Sequence, residues 1–96
     1  MKVCWSRRAL ADLRRLATRI AADKPLVAVD FVQGLADKVA RLASFPLLGR
    51  TGVYQDTREL VVHGNYLVTY RVRGDEVQVL QVWHVARGLP RAGRRG

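Results

Sequence analysis

The chain has few of the side chains that build redox centres, metal sites and membrane spans. It contains one cysteine, Cys4, and two histidines, and no apolar run approaches the roughly 18 residues that a membrane helix needs. A single cysteine cannot form a disulfide within the chain, and its position in a short apolar segment predicts a buried thiol. The histidines lack metal-ligand spacing, and no Gly-rich phosphate loop or nucleophile elbow is present. We therefore expect no metal, no cofactor, no membrane association and no small-molecule substrate.

Acidic residues are also scarce. The 96 residues include 8 Asp and Glu against 17 Lys and Arg, which gives a formal net charge of +9. Of the 17 cations 14 are arginine, whose planar guanidinium group pairs with carboxylates and phosphates through two parallel hydrogen bonds. Charge alone fits a plain soluble basic protein as well as one that binds acidic partners. The N-terminus becomes charged at Arg7 before any apolar stretch typical of a signal peptide accumulates, which predicts a cytoplasmic protein.

The C-terminal half contains three segments typical of strands, at residues 58–62, 66–73 and 77–84. Gly64-Asn65 and Gly74-Asp75 separate them and supply the positive backbone angles that tight hairpins require. This arrangement predicts a three-stranded antiparallel meander. In the last segment Val77 and Val79 would lie on one face of the strand and Val82 on the other. Either both faces are buried, or a bulge shifts the register.

Two amphipathic helices precede the meander. Residues 2–5 are typical of a short strand, and Ser6 is suited to cap a first helix that ends near Ala22. Pro25 starts a second helix, which stops before Phe45-Pro46, and residues 46–56 form a long loop. The apolar stripes of the helices predict an antiparallel helical hairpin that covers one face of the sheet. The predicted fold class is α+β, with one domain over residues 1–87 and a flexible basic tail over 88–96.

The order of these segments resembles the ParE/RelE superfamily of bacterial toxins, most closely its ParE branch. The resemblance runs over residues 3–87 and includes Gly49-Arg50, Arg58-Glu59-Leu60 and the closing segment 79–87. It implies the toxin half of a type II toxin-antitoxin pair, which a small antitoxin neutralises and which has DNA gyrase as its target.

A basic domain of this kind fits an acidic partner that folds as it binds. We expect the antitoxin to lie against the helical hairpin and the sheet edge, with its apolar side chains in grooves of the hairpin and its acids on arginines of the first helix. The residues predicted to contact the antitoxin are Arg7, Leu10, Arg14, Arg15, Val32, Leu35 and Val39. Those predicted to contact the target are Arg50, Arg71, Arg87 and Arg91.

The RelE branch provides a rival interpretation, because its members cleave messenger RNA on the ribosome. Such cleavage needs a base, an acid and cations around the phosphate. His84 is the candidate proton carrier, and Arg58, Arg71 and Arg87 are the candidate cations. A packed or hydrogen-bonded histidine explains His84 more simply. No Tyr, His, Lys or Glu follows Arg87, where RNase members commonly carry a proton-transfer residue, so the sequence favours a toxin that acts by binding. A third possibility is a nucleic-acid-binding module without toxicity.

Overall fold

The computed structural model describes residues 1–87 as two helices and five strands. The strands are β1 (Lys2–Trp5), β2 (Arg50–Thr51), β3 (Arg58–His63), β4 (Tyr66–Arg73) and β5 (Glu76–His84), and the helices are α1 (Arg7–Ala21) and α2 (Pro25–Ala40). Short 3₁₀ turns follow α2 at Arg41–Ala43 and β5 at Val85–Arg87. The tail predicted to be flexible, residues 88–96, lies outside the described residues.

The strands form one sheet in the order β1-β5-β4-β3-β2. Strands β3, β4 and β5 make the predicted antiparallel meander, and both hairpin turns use a glycine with positive φ, 57° at Gly64 and 60° at Gly74. β1 pairs parallel to β5 at one edge, and β2 pairs antiparallel to β3 at the other. The loop predicted over residues 46–56 therefore contains a strand. Its two residues are too few to produce an alternating pattern in the sequence.

A β-bulge explains the change of phase in β5. Thr69 pairs with Gln81 and Tyr70 pairs with Val79, so Leu80 is the extra residue. Val79 and Val82 consequently both join the core, although three positions separate them. Of the two alternatives that the sequence left open, the bulge is the observed one.

Helix α1 is attached to the sheet at this bulge. Ser6 caps the helix through its Oγ, which accepts a hydrogen bond from Ala9 N at 3.0 Å and donates one to the Leu80 carbonyl at 3.1 Å. In the second turn of α1, Asp12 is only 1% exposed, and its carboxylate accepts from Val82 N at 3.0 Å. Backbone groups that the bulge removes from the ladder thus find partners in the first two turns of α1.

Both helices cover one face of the sheet, as predicted, with α1 over β5 and α2 over β3. Phe31, Leu35 and Val39 of α2 are buried in the core. A Cβ at Gly34 in α2 would have His63 of β3 as its nearest neighbour, at 3.6 Å, so this glycine faces the sheet. One local expectation needs correction. Cys4 is half-buried, because it alternates with the core-facing Val3 and Trp5 and so lies on the opposite face.

Candidate functional site

The helical hairpin carries an apolar groove between its two helices. The groove has a volume of about 460 Å³ and is lined by Ala17, Thr18, Ala21, Pro25, Ala28, Val29, Val32 and Gln33. Alanines on α1 leave room that larger side chains would fill. Val29 is 64% exposed and Leu26, one turn earlier on α2, is 80% exposed. Exposed apolar side chains beside a groove of this kind are typical of a protein-binding surface.

A shallow depression with basic side chains borders this groove along α1. It is lined by Ala11, Arg14, Arg15, Thr18, Arg19 and Ala22, and it shares Thr18 with the groove. Arg15 Nη2 donates to Asp12 Oδ1 at 2.6 Å, so part of its charge is compensated. Arg14 and Arg19 make no ion pair within residues 1–87. The two hollows together present an apolar channel with a positive border, which suits an amphipathic acidic segment. We call them the hairpin surface.

The predicted antitoxin-contacting residues fall into two groups. Arg7, Leu10, Arg14 and Arg15 are exposed on α1, and Val32 is half-buried in the wall of the groove. Leu35 and Val39 were wrong as contact residues, because they are 0% and 1% exposed in the core and cannot reach a partner of the folded domain. The apolar residues of α2 form one continuous stripe in the sequence. The pattern alone does not show which of them face the sheet and which face the groove. The groove residues that the sequence analysis did not predict include Ala21 and Val29. The sequence pattern that could have indicated them is a small side chain on one helix opposite an apolar side chain on the other.

His84, the candidate proton carrier, is engaged in local packing. Its ring lies edge-on to Tyr66, with centroids 4.6 Å apart, and Tyr66 in turn packs edge-on to Phe31 at 4.7 Å. His84 Nδ1 accepts a hydrogen bond from Ala86 N at 3.0 Å. One ring nitrogen is therefore occupied by the backbone, and the ring is held by an aromatic cluster under α2.

Two of the three candidate cations, Arg58 and Arg71, lie far from His84 along the sheet. His84 pairs across the sheet with Tyr66, whereas Arg58 pairs with Tyr70 and Arg71 follows Tyr70 on the opposite face. Four or five residues along a strand correspond to about 13–17 Å. Each arginine also has its own partner, since Arg58 Nη1 donates to Gly49 O at 2.8 Å and Arg71 Nε donates to Gln78 Oε1 at 2.7 Å. Arg58, Arg71 and His84 thus do not form one constellation, and the side chain of Arg87 lies outside the description.

The residues predicted to contact the target are dispersed. Arg50 is exposed in β2 and forms an ion pair with Glu59, with 3.2 Å between Nη2 and Oε1. Arg71 is half-buried on the face of the sheet that the helices leave open. Arg91 belongs to the segment outside the described residues. That open face also holds Trp83, whose Nε1 donates to Thr69 Oγ1 at 2.9 Å, so the edge of this indole is tied to the sheet.

Tyr70 has a structural role at the beginning of the long loop. Its hydroxyl accepts from Gly49 N and donates to Pro46 O, both at 2.8 Å. Burial raises the pKa of Tyr70, and the hydrogen bond from Gly49 and the charge of Arg58 oppose this rise to a smaller extent. A fully buried phenol with both hydrogen bonds satisfied is a poor general acid or base. It fixes the loop instead, and with it the position of Arg50.

The described residues contain neither a metal-binding cluster nor a membrane-spanning helix. Among residues 1–87, no three His, Cys, Asp or Glu side chains are arranged to hold a metal ion. Neither helix within the same range is long and apolar enough to cross a bilayer.

Comparison with known proteins identifies the family. The family described as "ParE toxin of type II toxin-antitoxin system, parDE" matches residues 3–89. Y4kP of Sinorhizobium fredii is 34% identical over 90 residues, covering 93% of both chains, and the toxin RelE2 of Caulobacter vibrioides is 35% identical over 86 residues, covering 90% of this chain and 97% of its own.

Solved structures agree with the sequence relatives. A structure described as the chromosomal ParDE TA system from P. aeruginosa superposes with a TM-score of 0.80 at 27% identity, covering 88% of this chain and 96% of the other. The protein HP0894 from Helicobacter pylori, at 19% identity and a TM-score of 0.58 over 90% of this chain and 96% of its own, shares the fold. The chain therefore belongs to the ParE toxin family, within the ParE/RelE superfamily of type II toxin-antitoxin systems.

Proposed function

We propose that this toxin acts by binding DNA gyrase and inhibiting it, without chemistry of its own. DNA gyrase is the target that the resemblance to the ParE branch implies, and a toxin that binds gyrase would act in the cytoplasm. The observation that carries the non-enzymatic part is the separation of His84 from Arg58 and Arg71, with His84 Nδ1 bonded to the backbone at 3.0 Å. An RNase centre would need these groups around a single phosphate.

The cognate antitoxin neutralises the toxin by covering the hairpin surface. An amphipathic helix would place its apolar side chains in the groove beside Val29 and Val32. Its acidic side chains would meet Arg14 and Arg19, which have no ion pair within residues 1–87, at the positive border of the groove. The net charge of +9 favours rapid association with such a segment at low ionic strength.

Ribosome-dependent cleavage of messenger RNA is the second candidate function. The name of the Caulobacter relative, RelE2, favours it, because that name belongs to the branch with RNase members. Under this alternative His84 would have to release Ala86 N, and Arg87 would have to supply the charge that Arg58 and Arg71 cannot supply at that distance.

Two assays run in parallel separate these functions. Purified protein is added to a gyrase supercoiling reaction and to a translation extract containing a labelled message. We expect supercoiling to stop, the message to remain intact, and His84→Ala to inhibit gyrase as strongly as the unmodified protein. Unaffected supercoiling together with a cleaved message would overturn the proposal in favour of the RNase.

The antitoxin surface has a separate test. The short reading frame next to the toxin gene is co-expressed with it, and the affinity of the two products is measured. Val29→Glu puts a charge into the apolar groove, and we expect it to weaken binding at least tenfold, or about 1.4 kcal/mol. Phe45→Glu changes another exposed apolar side chain, 58% exposed and outside the groove, and should weaken binding less than threefold. Equal effects of the two substitutions would show that the antitoxin does not bind in the groove.

A further inference from the structure

The turn that follows β5 is attached to the sheet through a histidine. The 3₁₀ turn Val85–Arg87 comes directly after His84, and two hydrogen bonds fix its start. Val85 N donates to Asn65 O at 2.7 Å, and Ala86 N donates to His84 Nδ1 at 3.0 Å. Val85 is 49% exposed and Ala86 is also exposed, so apolar packing adds little to the stability of the turn. The position of the turn therefore depends on the two bonds, and the acceptor of the second one can be protonated.

The bond from Ala86 N specifies the protonation state of the ring. A neutral imidazole has one nitrogen with an N–H and one with a lone pair, and only the second accepts a hydrogen bond. Because His84 Nδ1 accepts, the ring is neutral and carries its proton on Nε2. When a proton from water adds to Nδ1, both ring nitrogens carry an N–H. Two N–H groups then face each other, and the hydrogen bond to the turn is lost.

The ring cannot avoid this conflict by turning. Rotation by half a turn about the Cβ–Cγ bond brings Cδ2 to the place of Nδ1, and a carbon atom does not accept the hydrogen bond. Larger movements are restricted, because the ring lies edge-on to Tyr66 with centroids 4.6 Å apart and Tyr66 packs edge-on to Phe31 at 4.7 Å. With the ring in this place, a proton on Nδ1 and the bond from Ala86 N exclude each other.

The charged ring also has no ion-pair partner in the described chain. The titratable groups on the elements packed around His84 are Tyr66 on β4, Asp12 on α1, Asp30 on α2 and His63 on β3. Asp12 is already bonded within α1 and to β5, and Asp30 is exposed to solvent. His63 contacts the same aromatic cluster and is itself a base. Within residues 1–87 no carboxylate forms an ion pair with His84, so no described acid compensates the loss of the bond to the turn.

We propose that His84 is a pH-sensitive latch for the turn Val85–Arg87. The neutral ring holds the turn at the end of β5, and protonation releases Ala86 N, so that the direction of the chain after β5 changes with pH. Among side chains, histidine changes its charge closest to neutral pH, so mild acid is the trigger. The inference goes beyond the proposed function, because it concerns the free toxin and gives His84 a conformational role that neither gyrase binding nor RNA cleavage uses.

Nuclear magnetic resonance of the isotope-labelled full chain tests the latch directly. The ring nitrogen signals of His84 report its tautomer, and hydrogen exchange of the Ala86 amide, relative to its rate in an unfolded chain, reports the protection of that amide. We expect the neutral ring to carry its proton on Nε2, and the protection to fall by about threefold or more once the ring is charged. Both signals should change at the same pH. A proton on Nδ1 of the neutral ring, or an Ala86 amide that does not respond when the ring titrates, would overturn the proposal.

Two substitutions of His84 separate the hydrogen bond from the charge. Oδ1 of asparagine occupies the same position in the side chain as Nδ1 of histidine and can accept from the amide two residues further on, but asparagine does not titrate. His84→Asn should therefore keep the protection of the Ala86 amide and lose its pH dependence. His84→Phe keeps a ring beside Tyr66 and has no acceptor, so its Ala86 amide should be weakly protected at every pH.

The substitution His63→Asn is the matched control, because it removes the other histidine of the aromatic cluster. The pH dependence of the Ala86 amide should be unchanged in this variant. A pH dependence that persists in His84→Asn, or that disappears in His63→Asn, would contradict the latch by showing that another group controls the turn. All of these measurements use the free toxin, so their outcome is independent of the gyrase assay.

Discussion

The buried carboxylate of Asp12 should be one of the most sensitive positions in the domain. Oδ2 accepts from Val82 N at 3.0 Å, Oδ1 accepts from Arg15 Nη2 at 2.6 Å, and Arg8 Nε lies 3.4 Å from both oxygens. Val82 follows the β-bulge, where the strand ladder is interrupted. The substitution Asp12→Ala removes the acceptor for this amide and leaves a buried donor unsatisfied.

The expected loss follows from these contacts. An unsatisfied buried donor costs about 1–3 kcal/mol. The side chains of Arg8 and Arg15 are 48% and 58% exposed, so the loss of their ion pairs adds about 0–1 kcal/mol after solvent screening. Asp12→Ala should therefore lower the free energy of unfolding by about 1–4 kcal/mol. A domain of this size has about 5–15 kcal/mol in total, so the variant remains folded but is clearly weakened.

Urea denaturation followed by the fluorescence of Trp5 and Trp83 measures this loss. Asp12→Asn keeps an oxygen that can accept from Val82 N, and it should lose less than Asp12→Ala because only the charge is removed. Asp30→Ala, at an exposed position on α2, is the matched control and should change stability by less than about 0.5 kcal/mol. A loss below about 1 kcal/mol in Asp12→Ala would refute the idea that this carboxylate fixes α1 to the bulge.

Three further substitutions, one of them with a matched control, test the loop and the helix cap. In Ser6→Ala, the N-cap of α1 and the donor to Leu80 O are lost together, so we expect about 1–2 kcal/mol less stability in the same urea experiment, and an unchanged midpoint would contradict this. Gly49→Ala places a Cβ 2.8 Å from Glu59 O and 2.8 Å from Tyr70 Cε1, and it should cost about 1–3 kcal/mol, whereas Gly64→Ala meets no atom within 4 Å and loses only about 1–2 kcal/mol through its positive φ. Tyr70→Phe should cost about 1–3 kcal/mol at pH 7. Because the folded-state pKa of Tyr70 is raised, its contribution is complete below the unfolded pKa of about 10 and is lost as pH rises through the folded pKa, so the difference between the two proteins should shrink at alkaline pH. A difference that grows with pH would reverse the assigned direction.

The sequence predicted those parts of the fold that depend on local patterns. The cap at Ser6, the break at Pro25 and the turns at Gly64 and Gly74 are each encoded by one or two residues with restricted backbone preferences. The strands of the meander are long enough to show their alternation. The ParE/RelE resemblance, which rests on the order of these elements, was confirmed as well.

What the sequence could not predict depends on contacts between distant segments. β2 has two residues, and it is a strand only because it pairs with β3, where Arg50 lies opposite Glu59. In the sequence, Asp12 is indistinguishable from an acid on the exposed side of a helix. Its burial depends on the bulge at Leu80, which brings Val82 N within hydrogen-bond distance of its carboxylate. Leu35 and Val39 share the apolar stripe of α2 with the groove residues, and only the packing of α2 on β3 shows which side is buried.

The integrity of messenger RNA in a translation extract tests the central claim most directly, because the claim is that this fold binds its target and does not cut RNA. Primer extension is carried out on a defined message with and without the toxin. We predict identical 5′ ends in the two samples at toxin concentrations that stop gyrase supercoiling. New 5′ ends at defined codons, abolished by His84→Ala, would contradict the account.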